Sequence, residues 1–381
     1  MAEQSAAPAS LRDLVLYFLK LGAVGFGGPI ALVGYMQRDL VDDRKWVSPE
    51  DYKEGLALAQ LAPGPLAAQL AIYLGWARGG VAGATLVGLA FVLPSFLMVM
   101  ALSAAYLRFG EMGWMQGAFY GIGAAVIGII VRSAWKLARA TVGKAKLLWF
   151  LFAVSALTTA VTEREMLWLF LICGAVGAMA ARPVPKVAAM LFPWPFLLTG
   201  INGPADGSVL WTIAWYFTEA GAFVFGSGLA IVPFLHGGVV TDFGWLTEQQ
   251  FLDAVAVAMI TPGPVVITVA FIGYLAAGPL GACVAALATF LPCYLIVVGA
   301  APSFRKYPKN PRIKGFVDGV TAAASGAIAG AAFVLGHRAI FDVPTILIAL
   351  GALAAMSFLK KAPEPIIIVA AGVLGFLLAP G

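Results

Sequence analysis

The chain has 381 residues, 61% hydrophobic and 11% charged, with a formal net charge of +5. A soluble domain carries about 25% charged residues and about 45–50% apolar ones, so an ordinary water-soluble enzyme is excluded. No Asp, Glu, Lys or Arg lies between Arg78 and Arg108, or between Asp253 and Arg305. Uncharged, mostly apolar runs longer than about 18 residues read as membrane spans, which makes this a polytopic membrane protein.

Met1 to Ser10 lacks a positive run followed by a small-residue cleavage site, so no removable signal is expected. A helix from about residue 11 breaks at Phe26-Gly27-Gly28-Pro29, and a second piece runs to about Val41, followed by a polar loop with Trp46. A short helix from Tyr52 then runs into Pro63-Gly64-Pro65, and a further piece continues to Trp76. Neither piece reaches the roughly 20 residues that a span requires. A long span from Val81 to Leu107, kinked at Pro94, comes next, then a span from Trp114 to Val131 and a hairpin of two short apolar helices, 147–161 and 166–181. The corresponding later elements are 279–300, 315–335, 344–358 and 365–380. Between the two sets, residues 187–205 are uncharged but broken by Pro193, Pro195 and Gly200; crossing, re-entry and an interfacial position all stay open, and the side of the N-terminus depends on the choice.

The plan repeats because the sequence repeats. Residues 17–29 align with 216–228 at an offset of 199, which carries Trp46 onto Trp245, Glu54 onto Asp253 and Pro63-Gly64-Pro65 onto Pro262-Gly263-Pro264. After a one-residue slip near Gly75 and Gly273 the offset of 198 carries Pro94 onto Pro292, Gly121 onto Gly319 and Gly128 onto Gly326. The expected architecture is therefore all-α: a repeat over 11–181, a linker over 182–208 and a second repeat over 209–381.

Basic residues orient the repeats. Loop 132–146 holds Arg132, Lys136, Arg139, Lys144 and Lys146 without an acid; loop 301–314 holds Arg305, Lys306, Lys309, Arg312 and Lys314. These loops lie one span apart in the repeat plan, so keeping positive loops inside requires the two repeats to be inserted in opposite orientations, with the C-terminus outside.

Helix breaks within the membrane leave backbone groups unpaired at a cost of several kcal/mol each, and persist where they line a cavity or bind a ligand. Glycines at the break followed by proline at the first helical position, as in Gly27-Gly28-Pro29, direct free N–H groups and about half a positive charge toward whatever precedes the helix. Pro63-Gly64-Pro65, Gly226-Ser227-Gly228 and Pro262-Gly263-Pro264 follow the same logic, and four converging starts would supply about two positive charges, matched to a small dianion. Glycines also allow close helix packing, and Gly117 with Gly121 is assigned to that role. Gln60, Gln69, Ser227, Thr261 and Thr268 are further candidate donors to oxyanion oxygens, although each is equally suited to ordinary helix–helix bonding.

Charged residues inside apolar segments are candidates for the pathway. Lys20 and Glu219 are repeat mates of opposite sign that can pair or face the pathway. Glu54 and Asp253 are acidic mates suited to proton coupling, or to the membrane surface, the reading preferred here. Arg78 ends a helix and suits anion attraction or snorkelling. Cys173, Cys283 and Cys293 have no paired spacing, and His236 and His337 are the only histidines, so no disulfide, metal or cofactor is expected. A lipid-acting enzyme would need a buried His, Cys or carboxylate constellation that the sequence does not show.

The pieces FGGP at 26–29, QLAPGPLAAQLAIYLGW at 60–76, LPSF at 93–96 and TPGP in the second repeat together resemble the chromate ion transporter family over most of the chain. The resemblance implies a bacterial inner-membrane protein that expels chromate, with sulfate as a related or competing anion and two halves in opposite orientation. In the second repeat FGGP has become Phe225-Gly226-Ser227-Gly228, a departure from equal binding by both halves. The expected partners are the lipid bilayer and a small oxyanion, not nucleic acid; a homodimer is compatible with the plan. A sulfate transporter and an anion channel remain as alternatives, the channel marked by flux that does not saturate.

Overall fold

A computed structural model describes residues 10–26, 28–110, 112–143, 145–162, 167–181, 209–223, 231–304, 311–358 and 364–378. Among these no strand occurs. Repeat one consists of α1 (Leu11–Val24), α2 (Gly28–Met36), α3 (Pro49–Leu61), α4 (Leu66–Phe109), α5 (Gly113–Val142), α6 (Lys146–Thr162) and α7 (Leu167–Ala180). Repeat two follows the same order with α8 (Val209–Phe223), α9 (Ile231–His236), α10 (Glu248–Ile260), α11 (Thr268–Phe304), α12 (Pro311–Ala339), α13 (Val343–Phe358) and α14 (Glu364–Leu378). The linker 182–208 lies outside the described residues.

Local chemistry sets the helix starts. Ser10 and Asp13 form a reciprocal capping box on α1, Ser48 caps α3 ahead of Pro49, and its repeat mate Thr247 forms a capping box with Gln250 on α10. Each such cap satisfies amide groups that have no partner within the helix. The chain after α2 and after α9 widens into a π-helical turn, Gln37–Asp43 and Gly237–Asp242, a feature the sequence reading missed. Its recurrence in both repeats marks it as built in, since such turns are rare and concentrate at functional sites.

α4 is not a straight rod. Gly79 and Gly80 are non-helical, Gly80 with φ +57°, and a Cβ on Gly75 would lie 2.4 Å from the Gly83 carbonyl oxygen. The pieces on either side of the joint therefore fold back on each other. Ala277 and Gly278 (φ +64°) make the same joint in α11, where Gly273 meets Gly281. α3 and the first piece of α4 also run antiparallel, because Gly55 abuts the Tyr73 ring while Pro63-Gly64-Pro65 forms the turn between them. The result is a re-entrant helical hairpin with the Pro-Gly-Pro element at its tip, followed by a full span over residues 81–109.

The repeats are inverted, and the contacts show it without reference to charge. Thr85 Oγ1 and Tyr294 Oη are 2.7 Å apart. Tyr294 is the repeat mate of Phe96, which lies about 16 Å further along the helix than Thr85 at 1.5 Å per residue. In parallel repeats, mates sit at equal height and this pair could not meet; the spans of α4 and α11 therefore run in opposite directions. Gly336 against Ile127 gives the same answer for α12 and α5.

The terminal hairpins are exchanged between repeats. α6 and α7 pack on α12, while α13 and α14 pack on α5. Small residues make this possible: a Cβ on Gly319 would lie 2.2 Å from the Cys173 carbonyl oxygen, and one on Gly121 would lie 2.0 Å from that of Ala371. Gly117 and Gly121, expected as a packing pair, meet Gly375 in this contact.

The basic stretch expected as a loop at 132–146 is different in form. α5 continues to Val142, so Arg132, Lys136 and Arg139 lie on its extension rather than in a loop. Helix-compatible residues with long charged side chains extend a span beyond the bilayer without breaking it. Arg312 and Lys314 likewise lie on α12, whereas residues 305–310, 163–166 and 359–363 are outside the described set.

Asp342 anchors the start of α13. Its carboxylate accepts from the Thr345 amide at 2.9 Å and from Tyr120 Oη of α5. The Tyr120 hydrogen bond, followed by those of Thr345, holds its carboxyl below the ordinary value of 3.8. A depressed carboxyl contributes stability above its ordinary value and loses it as pH falls through the lower folded value. Asp342→Asn is therefore expected to lower thermal stability at neutral pH, and the gap from the parent, measured in detergent, is expected to close below pH 4.

Candidate substrate site

Gly64 and Gly263 have φ of +136° and +99°, backbone that glycine adopts at little cost and L side chains resist. This conformation turns the chain at each hairpin tip. Each tip rests on the long span of the other repeat: a Cβ on Gly64 would lie 2.4 Å from Cys293 Cβ, and one on Gly263 would lie 2.8 Å from Ser95 Oγ. Ser95 and Cys293 are repeat mates, both fully buried, each one residue past a proline inside the helix. The sequence showed them within the paired LPSF and LPCY segments but gave no sign of what they touch.

The tip of repeat two also reaches the helix break of repeat one. Gly263 donates its N–H to the Gly25 carbonyl at 2.8 Å, at the residue that ends α1. Gly28 then takes φ +71° and Pro29 lies in the first turn of α2. Three of the expected elements, Gly28-Pro29, Pro63-Gly64-Pro65 and Pro262-Gly263-Pro264, are thus each placed in the re-entrant region, and at least one joins two repeats. Gly27, Gly226, Ser227 and Gly228 lie outside the described residues.

The donors divide less evenly than the sequence implied. The Gly263 N–H is committed to Gly25. At the α4 start the helical ladder begins with the Gln69 N–H to the Pro65 carbonyl at 2.9 Å, so the N–H groups of Leu66, Ala67 and Ala68 precede it and carry the helix dipole. Gln69 is fully buried and donates Nε2 to the carbonyls of Ala62 (3.2 Å) and Pro63 (2.6 Å), which braces the tip; its Oε1 has no hydrogen-bond partner among the described residues. Thr261 and Thr268 donate their hydroxyls to Val257 and Val265 carbonyls, so in this conformation they stabilise their own turns. Gln60 is exposed at the end of α3.

Among the charged candidates, Lys20 is exposed and Glu219 half-buried, with no ion pair between them. Arg78 is exposed directly before the Gly79–Gly80 joint, where the first piece of α4 ends. Glu54 is half-buried, and Asp253 is only 2% exposed, covered by protein on all sides. Its α10 helix is enclosed by α5, α11, α14 and the span of α4, and that burial arises from contacts far apart in the chain.

Inverted repeats, re-entrant hairpins with glycine tips and long apolar spans define a membrane transporter. Among the described residues, four helices are long and apolar enough to cross a membrane: Leu66–Phe109, Gly113–Lys136, Val265–Pro302 and Lys314–His337. The chain belongs to the chromate transporter family, whose model matches residues 12–178 and 211–376. It is 57% identical over 394 residues to the chromate transport protein of Cupriavidus metallidurans, covering 99% of this chain and 95% of that one. It is 60% identical over 380 residues to a probable chromate transport protein of Synechococcus elongatus, covering 97% and 95%, and 32% identical over 395 residues to the chromate transport protein of Pseudomonas aeruginosa, covering 98% and 94%. No solved structure matches the chain.

Proposed function

We propose that this protein exports chromate across a bacterial inner membrane by alternating access, with the anion bound where the two re-entrant tips meet the opposing spans. The observation that carries the reading is the reciprocal seating of Gly64 on Cys293 and Gly263 on Ser95. It places a glycine-turned helix start of each repeat against the middle of the other, where a rocking motion between repeats changes access to both sides. The N–H groups of Leu66, Ala67 and Ala68 hold the oxyanion without a buried cation, as helix N-termini hold phosphate and sulfate. Outward movement of a dianion gains about 4.6 kcal/mol per 100 mV of inside-negative potential, so potential alone can drive export. Exchange against sulfate or protons is a further mode rather than a requirement.

In this reading the units are 11–181 and 209–381 joined by 182–208, the basic ends of α5 and α12 face the cytoplasm, and the C-terminus faces outward. Arg132, Lys136 and Arg139 on one face of α5 concentrate anions at the inner mouth. Sulfate, of the same shape and charge, competes at the site.

The test is uptake of labelled chromate and labelled sulfate into inverted vesicles carrying Gly64→Leu or Gly263→Leu, with the amount of inserted protein measured in parallel. Each variant is expected to lose at least tenfold in chromate flux, because leucine at these φ values is strained and its Cβ collides with the opposing span. Unaltered flux in both removes the tips from the mechanism. Sulfate carried with no effect of chromate would make sulfate the substrate, and flux that never saturates would make the protein a channel.

A further inference from the structure

Asp253 has an environment that the anion site does not explain. It lies on α10, in the re-entrant hairpin of repeat two, nine residues ahead of Pro262. Tyr106, near the end of α4 in repeat one, donates its hydroxyl to Oδ2 at 2.6 Å, and Gln249 Nε2 donates to Oδ1 at 2.9 Å. The carboxylate thus has two neutral donors, 2% exposure and, among the described residues, no ion-pair partner. An isolated charge removed from water is costly unless it is paired, so a carboxylate held this way either carries a function or takes up a proton.

The surrounding groups isolate it further. Tyr106 is itself clamped edge-on between Phe119 of α5 and Phe271 of α11. Glu248, on the same helix, is paired with His236 at 2.8 Å. On α4, Arg108 stands over the Phe109 ring and is exposed. On α5, Tyr120 is bonded to Asp342, Arg132 and Lys136 lie toward the far end, and Glu364 of α14 interacts with Lys136. On α11, Tyr294 is bonded to Thr85; Asp242 closes the π-helical turn before α10.

The Tyr106–Asp253 bond also joins the two repeats: the end of a span in one and the re-entrant hairpin of the other. Under the repeat relation Asp253 corresponds to Glu54 and Tyr106 to Phe304, a residue with no hydroxyl. When inverted repeats exchange conformations, the equivalent bond cannot form, so the latch exists in one of the two states only.

We propose that Asp253 is a proton-binding latch between the repeats. A proton from water adds to a carboxylate oxygen, the side chain becomes neutral, and the charge-assisted bond from Tyr106 is replaced by a neutral one of about half the strength. Protonation thereby favours the state in which the latch is open, and the rate of anion transport becomes linked to pH. Asp253 acts as a positioning residue that sets the balance of states and does not touch the anion. This inference rests on the alternating-access reading given above.

The experiment is chromate flux into inverted vesicles from pH 5.5 to 8.5 for the parent protein, Asp253→Asn and Tyr106→Phe, with inserted protein quantified. The parent is expected to change rate at least threefold across this range, Asp253→Asn to show a flat profile, and Tyr106→Phe to keep a pH-dependent rate with a displaced midpoint. An Asp253→Asn profile with the same shape and midpoint as the parent overturns the latch. So does a Tyr106→Phe profile that coincides with the parent. If Asp253→Asn fails to insert, Tyr106→Phe alone decides, because it keeps the ring and its packing. Loss of the anion-site reading would instead appear as unaltered flux in the Gly64 and Gly263 variants, independent of pH.

Discussion

Gly121→Ala is expected to prevent accumulation of folded protein, and Gly319→Ala to do the same. The added methyl carbon on Gly121 would lie 2.0 Å from the Ala371 carbonyl oxygen and 2.6 Å from Gly375 Cα, and on Gly319 2.2 Å from the Cys173 carbonyl oxygen. These neighbours are backbone of a packed helix and cannot swing aside as a side-chain tip can. The helices must separate, and over-packing of this kind costs about 1–3 kcal/mol, occasionally more. In a membrane the loss is not softened by water-driven reassociation, since close van der Waals packing at small residues is itself the main attraction between helices. Because α13 and α14 belong to repeat two but dock on α5 of repeat one, Gly121→Ala should also loosen the exchange between repeats. The check is the monodisperse fraction after detergent extraction, with Gly351→Ala as the control, since a Cβ there meets nothing within 4 Å. Equal monodisperse yields from Gly121→Ala and the control would refute the packing argument.

Filling the seats beneath the re-entrant tips is the second large effect. Ser95→Phe and Cys293→Phe are each expected to reduce chromate flux at least tenfold while leaving protein in the membrane. Both positions are fully buried, and each lies directly under the glycine of the opposite tip. A phenyl ring there forces the tip away from the span and misplaces the helix start proposed to hold the anion; displacements of about 1 Å in a binding constellation can cost about a hundredfold in rate. Cys293→Ser and Ser95→Cys exchange the mates without adding bulk and are expected to remain within about threefold of the parent. Vesicle flux normalised to inserted protein reads both pairs. A phenylalanine variant that transports as well as the conservative one would show that the tips do not depend on these seats.

Much of this molecule could be read from its residues because the relevant signals are local. The breaks at Gly28-Pro29, Pro63-Gly64-Pro65 and Pro262-Gly263-Pro264 follow from what glycine and proline do to a helix. The end of a helix at Arg78 follows from the glycine pair after it. Other features were hidden for the same reason. Asp253 and Glu54 look equivalent along the chain, yet one is buried under Tyr106 and the other is half-buried, because Tyr106 lies 147 residues away and its own mate is Phe304. Thr261 and Thr268 read as donors to a ligand, but the structure shows their hydroxyls bonded to carbonyls of the preceding turn. Arg132, Lys136 and Arg139 read as a loop because charge ends an apolar run, although charge does not end a helix.

By itself the sequence determined that the protein lives in a membrane, that it is a duplicated unit, that the copies are inverted and that the chain breaks at Gly28-Pro29, Pro63-Gly64-Pro65 and Pro262-Gly263-Pro264. Composition, spacing and the placement of lysine and arginine act residue by residue, so no contact is needed to read them. Only the tertiary structure decided that each re-entrant tip seats on the other repeat's span, that the hairpins are exchanged, and that Asp253 meets Tyr106. Those choices depend on which surfaces fit: carbonyls approached within reach of a glycine, and a buried carboxylate that must find donors wherever the packed helices bring them. Partner choice across more than a hundred residues is a property of shape and burial, which no local pattern encodes.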